Sequence, residues 1–180
     1  MPERFIVRRA TGADTAVLGS LIAESARGLN AGHYPPEQVE AALQGAFGVD
    51  SQLVDDGTYF VATAGGAIVG CGGWSRRRTL FGGDAFSVRD AGELDPATDA
   101  ARIRAFFVHP SFSRMGVGSA ILLRCESEAA LMGYTRFALM ATLPGLKFYL
   151  AHGYAAGESR LHVLGNGQMI RFVPMHKARK

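Results

Sequence analysis

Residues 108–122, VHPSFSRMGVGSAIL, decide how this chain is read. An apolar run ends in His109-Pro110, and a helix-like pattern restarts behind Gly116 and Gly118. The first N–H groups of a helix have no partner inside it, and the helix dipole makes that end positive. Glycines remove the side chains that would keep an anion at a distance. The stretch is therefore either a phosphate cradle or a turn whose glycines permit tight strand-to-helix packing. Glycine spacing alone does not choose between the two.

Two familiar phosphate loops fit poorly. In a dinucleotide fingerprint the third glycine would fall on Ile121, and no acidic residue ends the following run, TRFALMA at 135–141. A Walker loop needs Gly-Lys-Ser/Thr, which occurs nowhere in the chain. A third phosphate-binding geometry remains.

Upstream, RFIVRRA reads as a strand, and GADTAVLGSLIAESARGL as a helix with Val17, Leu18, Leu21, Ile22 and Ala26 on one face. PPEQVEAALQGAF is a second helix with prolines suited to its first turn. TYFVATA and AIVGCGGWSRR are strands joined by Gly65-Gly66, a tight-hairpin signal. Residues 77–99 are polar and aperiodic, a length that in a compact domain is usually functional. ARIRAFFV then reads as a strand, RMGVGSAILLRCESEAALMGY as a helix and TRFALMA as a strand. TLPGLKFYLAHGY is a short helix with Thr142 as N-cap, and YAAGESRLHVL and MIRFVPM close the chain as a hairpin.

This order is mixed α/β (α+β) with a β-α-β unit at its centre. Such a crossover makes a parallel pair and puts ligand chemistry at the carboxyl ends of its strands.

The 180 residues are expected to form one domain, 1–180, and 48% hydrophobic with 19% charged residues places the chain among globular proteins. A net charge of +3 favours an anionic ligand but is too small to argue for nucleic acid. Cys71 and Cys125 sit inside apolar patterns and read as buried free thiols, so a reducing compartment is expected. The sequence has no hydrophobic signal region at its start and no run approaching a membrane helix, so the expectation is a cytoplasmic protein without membrane attachment. The five histidines lack metal-ligand spacing, and no metal is expected.

IRAFFVHPSFSRMGVGSAIL resembles the cofactor motif of the GNAT superfamily of N-acetyltransferases, Gln/Arg-x-x-Gly-x-Gly/Ala after a strand ending Val-x-Pro. Gly116 and Gly118 match; the first polar position is Ser113, with Arg114 directly behind it. KFYLAHGY is similar to a second family signature, Phe/Leu-Tyr-x-x-x-Gly-Phe/Tyr, at Phe148, Tyr149, Gly153 and Tyr154.

The resemblance implies a central mixed sheet of about six or seven strands, splayed between 102–108 and 135–141 and flanked by about four helices. It implies acetyl-CoA in the splay, bound by Phe106, Phe107, Val108, Arg114, Met115, Gly116, Val117, Gly118, Ser119 and Ala120. The pyrophosphate would sit on the amides after Arg114, and the pantetheine arm would pair with backbone around Phe106 and Val108 as an added strand does. Tyr149 would be the general acid that protonates the departing thiolate, and the reaction would be direct attack by a primary amine in a ternary complex. A small-molecule amine is the expected acceptor ahead of a protein amine. A homodimer is common in the family. A non-catalytic acyl-CoA sensor is the competing reading.

The base that deprotonates the amine is not legible. Family members often place a glutamate on the strand before the cofactor loop, where this chain has Arg102, Ile103, Arg104, Ala105 and Phe106. Candidates are Asp84, Asp90, Glu93 and Asp95 in the long loop and Glu24 on the first helix. His109 reads as a turn residue, Trp74 as core, and Arg76, Arg77 and Arg78 as a solvated charge run.

Overall fold

The computed structural model describes residues 4–86 and 89–180. It contains eight strands: β1 (Ile6–Arg9), β2 (Tyr59–Ala64), β3 (Ala67–Ser75), β4 (Ala101–Val108), β5 (Arg136–Ala141), β6 (Ala155–Ala156), β7 (Arg160–Val163) and β8 (Met169–Ala178). The helices are α1 (Thr15–Leu29), α2 (Pro36–Ala42), α3 (Ser51–Asp55), α4 (Val117–Leu131) and α5 (Leu146–Ala151). The run read as one strand at 154–164 is two, β6 and β7. The additional helix, α3, is a single short turn nucleated by Asp50, whose side chain accepts from Gln52 N at 3.1 Å. The second helix stops at Ala42, short of the expected Phe47.

The strands follow the order β1-β2-β3-β4-β5-β8-β6, with β7 paired to β8. Four successive residues of β2, Tyr59 to Ala62, are fully buried. Side chains alternate across a strand, so Phe60 and Ala62 join one core with Ile121, Leu122 and Cys125 of α4, while Tyr59 and Val61 join a second core with Leu18, Leu21 and Ile22 of α1. The sheet is thus the middle of three layers. Val17, expected on the buried face of α1, is half exposed, and Ser25 takes part in that face instead.

Positive φ at Gly65 and Gly66 allows the tight β2–β3 turn. Glycines in β3 serve close packing: a Cβ on Gly70 would lie 2.5 Å from Val117 of α4, and one on Gly72 would lie 2.7 Å from the Phe106 ring. The thiols of Cys71 and Cys125 are free and fully buried, and burial pushes Cys71 up to about 12, so it carries no thiolate at neutral pH.

The decisive feature is how little of β4 and β5 is paired. Their parallel register consists of Ala101↔Phe137 and Arg102↔Ala138; past those pairs the strands diverge, and β5 turns its other edge to β8 along Arg136–Ala141. At the point of divergence β4 carries a bulge. Three steps along β4, Arg104 to Phe107, match two along β3, Gly73 to Cys71, and Ala105 adopts φ 56°. A bulge bends its strand and re-aims the residues that follow.

Candidate functional site

A cleft of about 890 Å³ occupies the divergence. It runs from the loop before α4, between β4 and the start of α5, to the inner ends of α1 and the segment at 46–48. Of the residues singled out from sequence, Phe106, Phe107, Val108, Arg114, Gly116, Val117, Gly118, Ser119 and Tyr149 line it. Met115 does not; it points to solvent at 38% exposure. Ala120 is excluded as an anion donor, because its N–H is already spent on Gly116 O at 3.0 Å in the first helical turn.

The anion cradle is built by backbone. Arg114 at φ 60° and Gly116 at φ 87° are left-handed, and Ser113 before them is extended, so the chain makes a tight irregular turn into α4. The first intrahelical bond of α4 is the Ala120 to Gly116 bond, so the N–H groups of Val117, Gly118 and Ser119 have no partner within the helix. The two glycines have different jobs. A Cβ on Gly116 would meet nothing within 4 Å, but its φ of 87° favours glycine; a Cβ on Gly118 would lie 3.2 Å from Phe148, a tight approach that glycine relieves. The packing role of the glycine turn is thus seen at Gly118, and the space beside Gly116 is open.

On β4, His109 N donates to Val69 O at 2.8 Å, toward β3. Strand alternation then directs Phe106 and Val108 N–H groups away from β3, into the cleft. Val108 N donates to Ser25 Oγ at 3.1 Å, so the polar edge expected to be open at Val108 is capped by a serine hydroxyl. Ser25 was missed from sequence, although a serine on the apolar face of α1 was a visible signal: a buried hydroxyl needs a partner.

Tyr149 is 8% exposed and packs edge-on against Phe148 at 4.9 Å and Phe106 at 6.3 Å between ring centroids. Burial raises its pKa well above the ordinary phenol value, so its proton is retained at neutral pH. The residue expected as N-cap of α5, Thr142, instead accepts Gly145 N in a turn, and the helix begins at Leu146.

The carboxylates named as base candidates do not reach the cleft. Glu24 pairs with His109 Nε2 at 3.0 Å, while His109 Nδ1 accepts Ser111 N as a turn cap. Asp84 accepts from Ser51, Asp90 from Gly92 N, Glu93 from Arg76, and Asp95 from Ala97 N. Arg77 is not a free surface charge: it makes two 2.8 Å bonds to Asp56, tying the 77–99 segment to the end of α3. Trp74 is core, edge-on to Tyr134. Among the described residues no three His, Cys, Asp or Glu side chains are grouped as a metal site requires, and no helix is long and apolar enough to span a membrane.

The sequence model of the acetyltransferase (GNAT) family matches residues 17–154. A comparison with curated proteins gives no match. Among solved structures, a GCN5-related N-acetyltransferase from Rhodopseudomonas palustris superposes with a TM-score of 0.71 at 22% identity, covering 96% of this chain and 94% of that one. PaiA N-acetyltransferase from Thermoplasma acidophilum, solved with coenzyme A, gives 0.63 at 15% identity, covering 97% and 98%. A ribosomal-protein-alanine N-acetyltransferase from Brucella melitensis gives 0.62 at 16%, covering 96% and 99%. At these identities the likeness is one of fold.

Proposed function

The chain belongs to the acetyltransferase (GNAT) family, and from that membership we propose that it transfers acetyl from acetyl-CoA directly to a primary amine of a small molecule. One observation carries the reading: a single cleft joins the anion cradle at 114–119, the diverging edge of β4 and the hydroxyl-bearing Tyr149. The residues present fit coenzyme A, since Gly116 leaves open space where a Cβ would stand and three helix-terminal N–H groups lack intrahelical partners.

Acetyl-CoA supplies an activated thioester. The N–H groups of Val117, Gly118 and Ser119 hold phosphate oxygens, with Arg114 and Lys147 adding positive charge at the lining. Phe106 N–H, re-aimed by the bulge at Ala105, stabilises the negative charge that grows on the thioester oxygen. Ser25 releases Val108 N–H to the pantetheine amides. Tyr149 gives its proton to the departing thiolate, whose conjugate thiol has an ordinary pKa of about 8.5. No Asp, Glu or His is among the described lining residues, so the amine's proton leaves to water in the open cleft.

Thiol release from acetyl-CoA over a panel of amines tests the reading. Amine-dependent release, reduced in a Tyr149→Phe variant, is the expected result. Tight coenzyme A binding without release for any amine would overturn it in favour of an acyl-CoA sensor.

A further inference from the structure

Resting on that transferase reading, we infer that the acceptor is a primary amine carried on an aromatic or apolar body, with no second positive charge. The end of the cleft farthest from the anion cradle is walled by Phe47, Phe81, Phe172, Leu29 and Leu80. Its rings form one contact network: Phe81 to Phe172 edge-on at 5.2 Å and 75°, Phe47 to Phe107 edge-on at 5.9 Å and 75°, and Phe47 to Phe172 tilted at 6.1 Å and 41°. Phe47 and Phe172 are 5% and 3% exposed and belong to the core, while Phe81 is partly buried and Leu80 is 37% exposed at the mouth of this wall. A flat apolar body inserted there adds to the network in the offset geometry aromatic rings prefer.

Charge excludes the alternatives. The charged side chains among the described lining residues are Arg104, already paired with Asp50, and Arg114 and Lys147, which lie with the loop before α4 and the start of α5. A polyamine or a basic peptide carries ammonium groups besides the reacting one, and each would enter a cleft with no carboxylate to receive it. A charge taken out of water without a partner is costly, so a second ammonium disfavours the ligand. What the far end does offer is neutral. Asn30 gives Nδ2 to Ala26 O at 2.8 Å, which fixes the amide's orientation and leaves its buried Oδ1 without a donor among the described residues. One neutral acceptor suits one amine N–H.

The test compares 2-phenylethylamine, ethylamine and spermidine as acceptors, with the wild type and a Phe81→Ala variant. The inference expects kcat/KM for phenylethylamine to exceed that of the other two by about tenfold or more, the range that apolar pocket contacts confer. It expects Phe81→Ala to cut the preference for phenylethylamine over ethylamine by about tenfold. Spermidine as the best acceptor, or a Phe81→Ala effect equal on all amines, would overturn it. Calorimetry on the protein loaded with coenzyme A separates the two readings. Phenylethylamine binding that Phe81→Ala weakens, without turnover, upholds the pocket chemistry and overturns the transfer reading; no binding and no turnover overturns the inference.

Discussion

Arg104 Nη2 lies 2.7 Å from Asp50 Oδ2, with the two side chains 2% and 0% exposed. The same carboxylate receives Arg89 Nη2 at 3.0 Å and caps α3 through Gln52 N. Arg104 in turn donates to Gly82 O at 2.6 Å. Burial lowers the Arg104 pKa, and the neighbouring Asp50 opposes that shift. The pair joins the strand residue before the bulge to two of the segments that line the cleft, those carrying Phe47 and Phe81.

Removing one partner of a buried pair strands the other charge. Asp50→Ala is therefore expected to lose about 3–5 kcal/mol of stability, measured by urea denaturation. Replacing both Asp50 and Arg104 with apolar residues is expected to cost markedly less than the single change.

Tyr149→Phe keeps the ring packing against Phe148 and Phe106 and deletes only the acid. Its kcat is expected to fall roughly 10²- to 10⁴-fold. Coenzyme A affinity, measured by calorimetry, stays near that of the wild type. A kcat within twofold of the wild type would remove Tyr149 from the proton transfer.

Gly116→Ala forces a Cβ onto a residue at φ 87°, a cost of roughly 1–2 kcal/mol in the cradled conformation. The expected result is weaker coenzyme A binding with little change in the apolar core. Gly118→Val instead drives side-chain atoms into Phe148, and its expected signature is lost thermal stability together with displaced Tyr149.

With no carboxylate or histidine among the described lining residues, the reactive species is expected to be the free amine delivered from water. For an alkylamine with a pKa of about 10.4, kcat/KM is expected to rise close to tenfold per pH unit from neutrality toward about pH 9. A plateau beginning near pH 7 would reveal a protein base.

The Arg8 hydrogen bonds at 2.8 Å hold the Asp14 carboxyl at about 2. This depressed value means the unfolded chain binds the proton more readily, so the stabilisation is complete above the ordinary carboxyl pKa of about 4 and disappears as pH falls through about 2. Denaturation midpoints of the wild type and Asp14→Asn are expected to differ near neutrality and to converge at the acid end.

Much of this protein is written locally. The β-rich run TYFVATA, the glycine hairpin at 65–66 and the dual-glycine helix start at 116–118 are consequences of short-range geometry, and the sequence determined them. The family signatures at 113–118 and 148–154 likewise contain residues that line the cleft. The start of α5 lies three residues beyond the expected one because Thr142, a good N-cap by type, is used in a turn that precedes the helix.

The acceptor half was decided by tertiary structure alone. Asp50, Gly82 and Arg104 are far apart in the chain and meet because α3, the 77–99 segment and β4 pack together around a charge that must be paired once it is sealed from water. The same packing draws Phe47, Phe81 and Phe172 into one wall and turns every candidate carboxylate outward to an arginine, a histidine or a backbone N–H. Local pattern determines which segments become strands and helices; which side chains share a desolvated space depends on how those segments dock, and no short stretch of sequence encodes that.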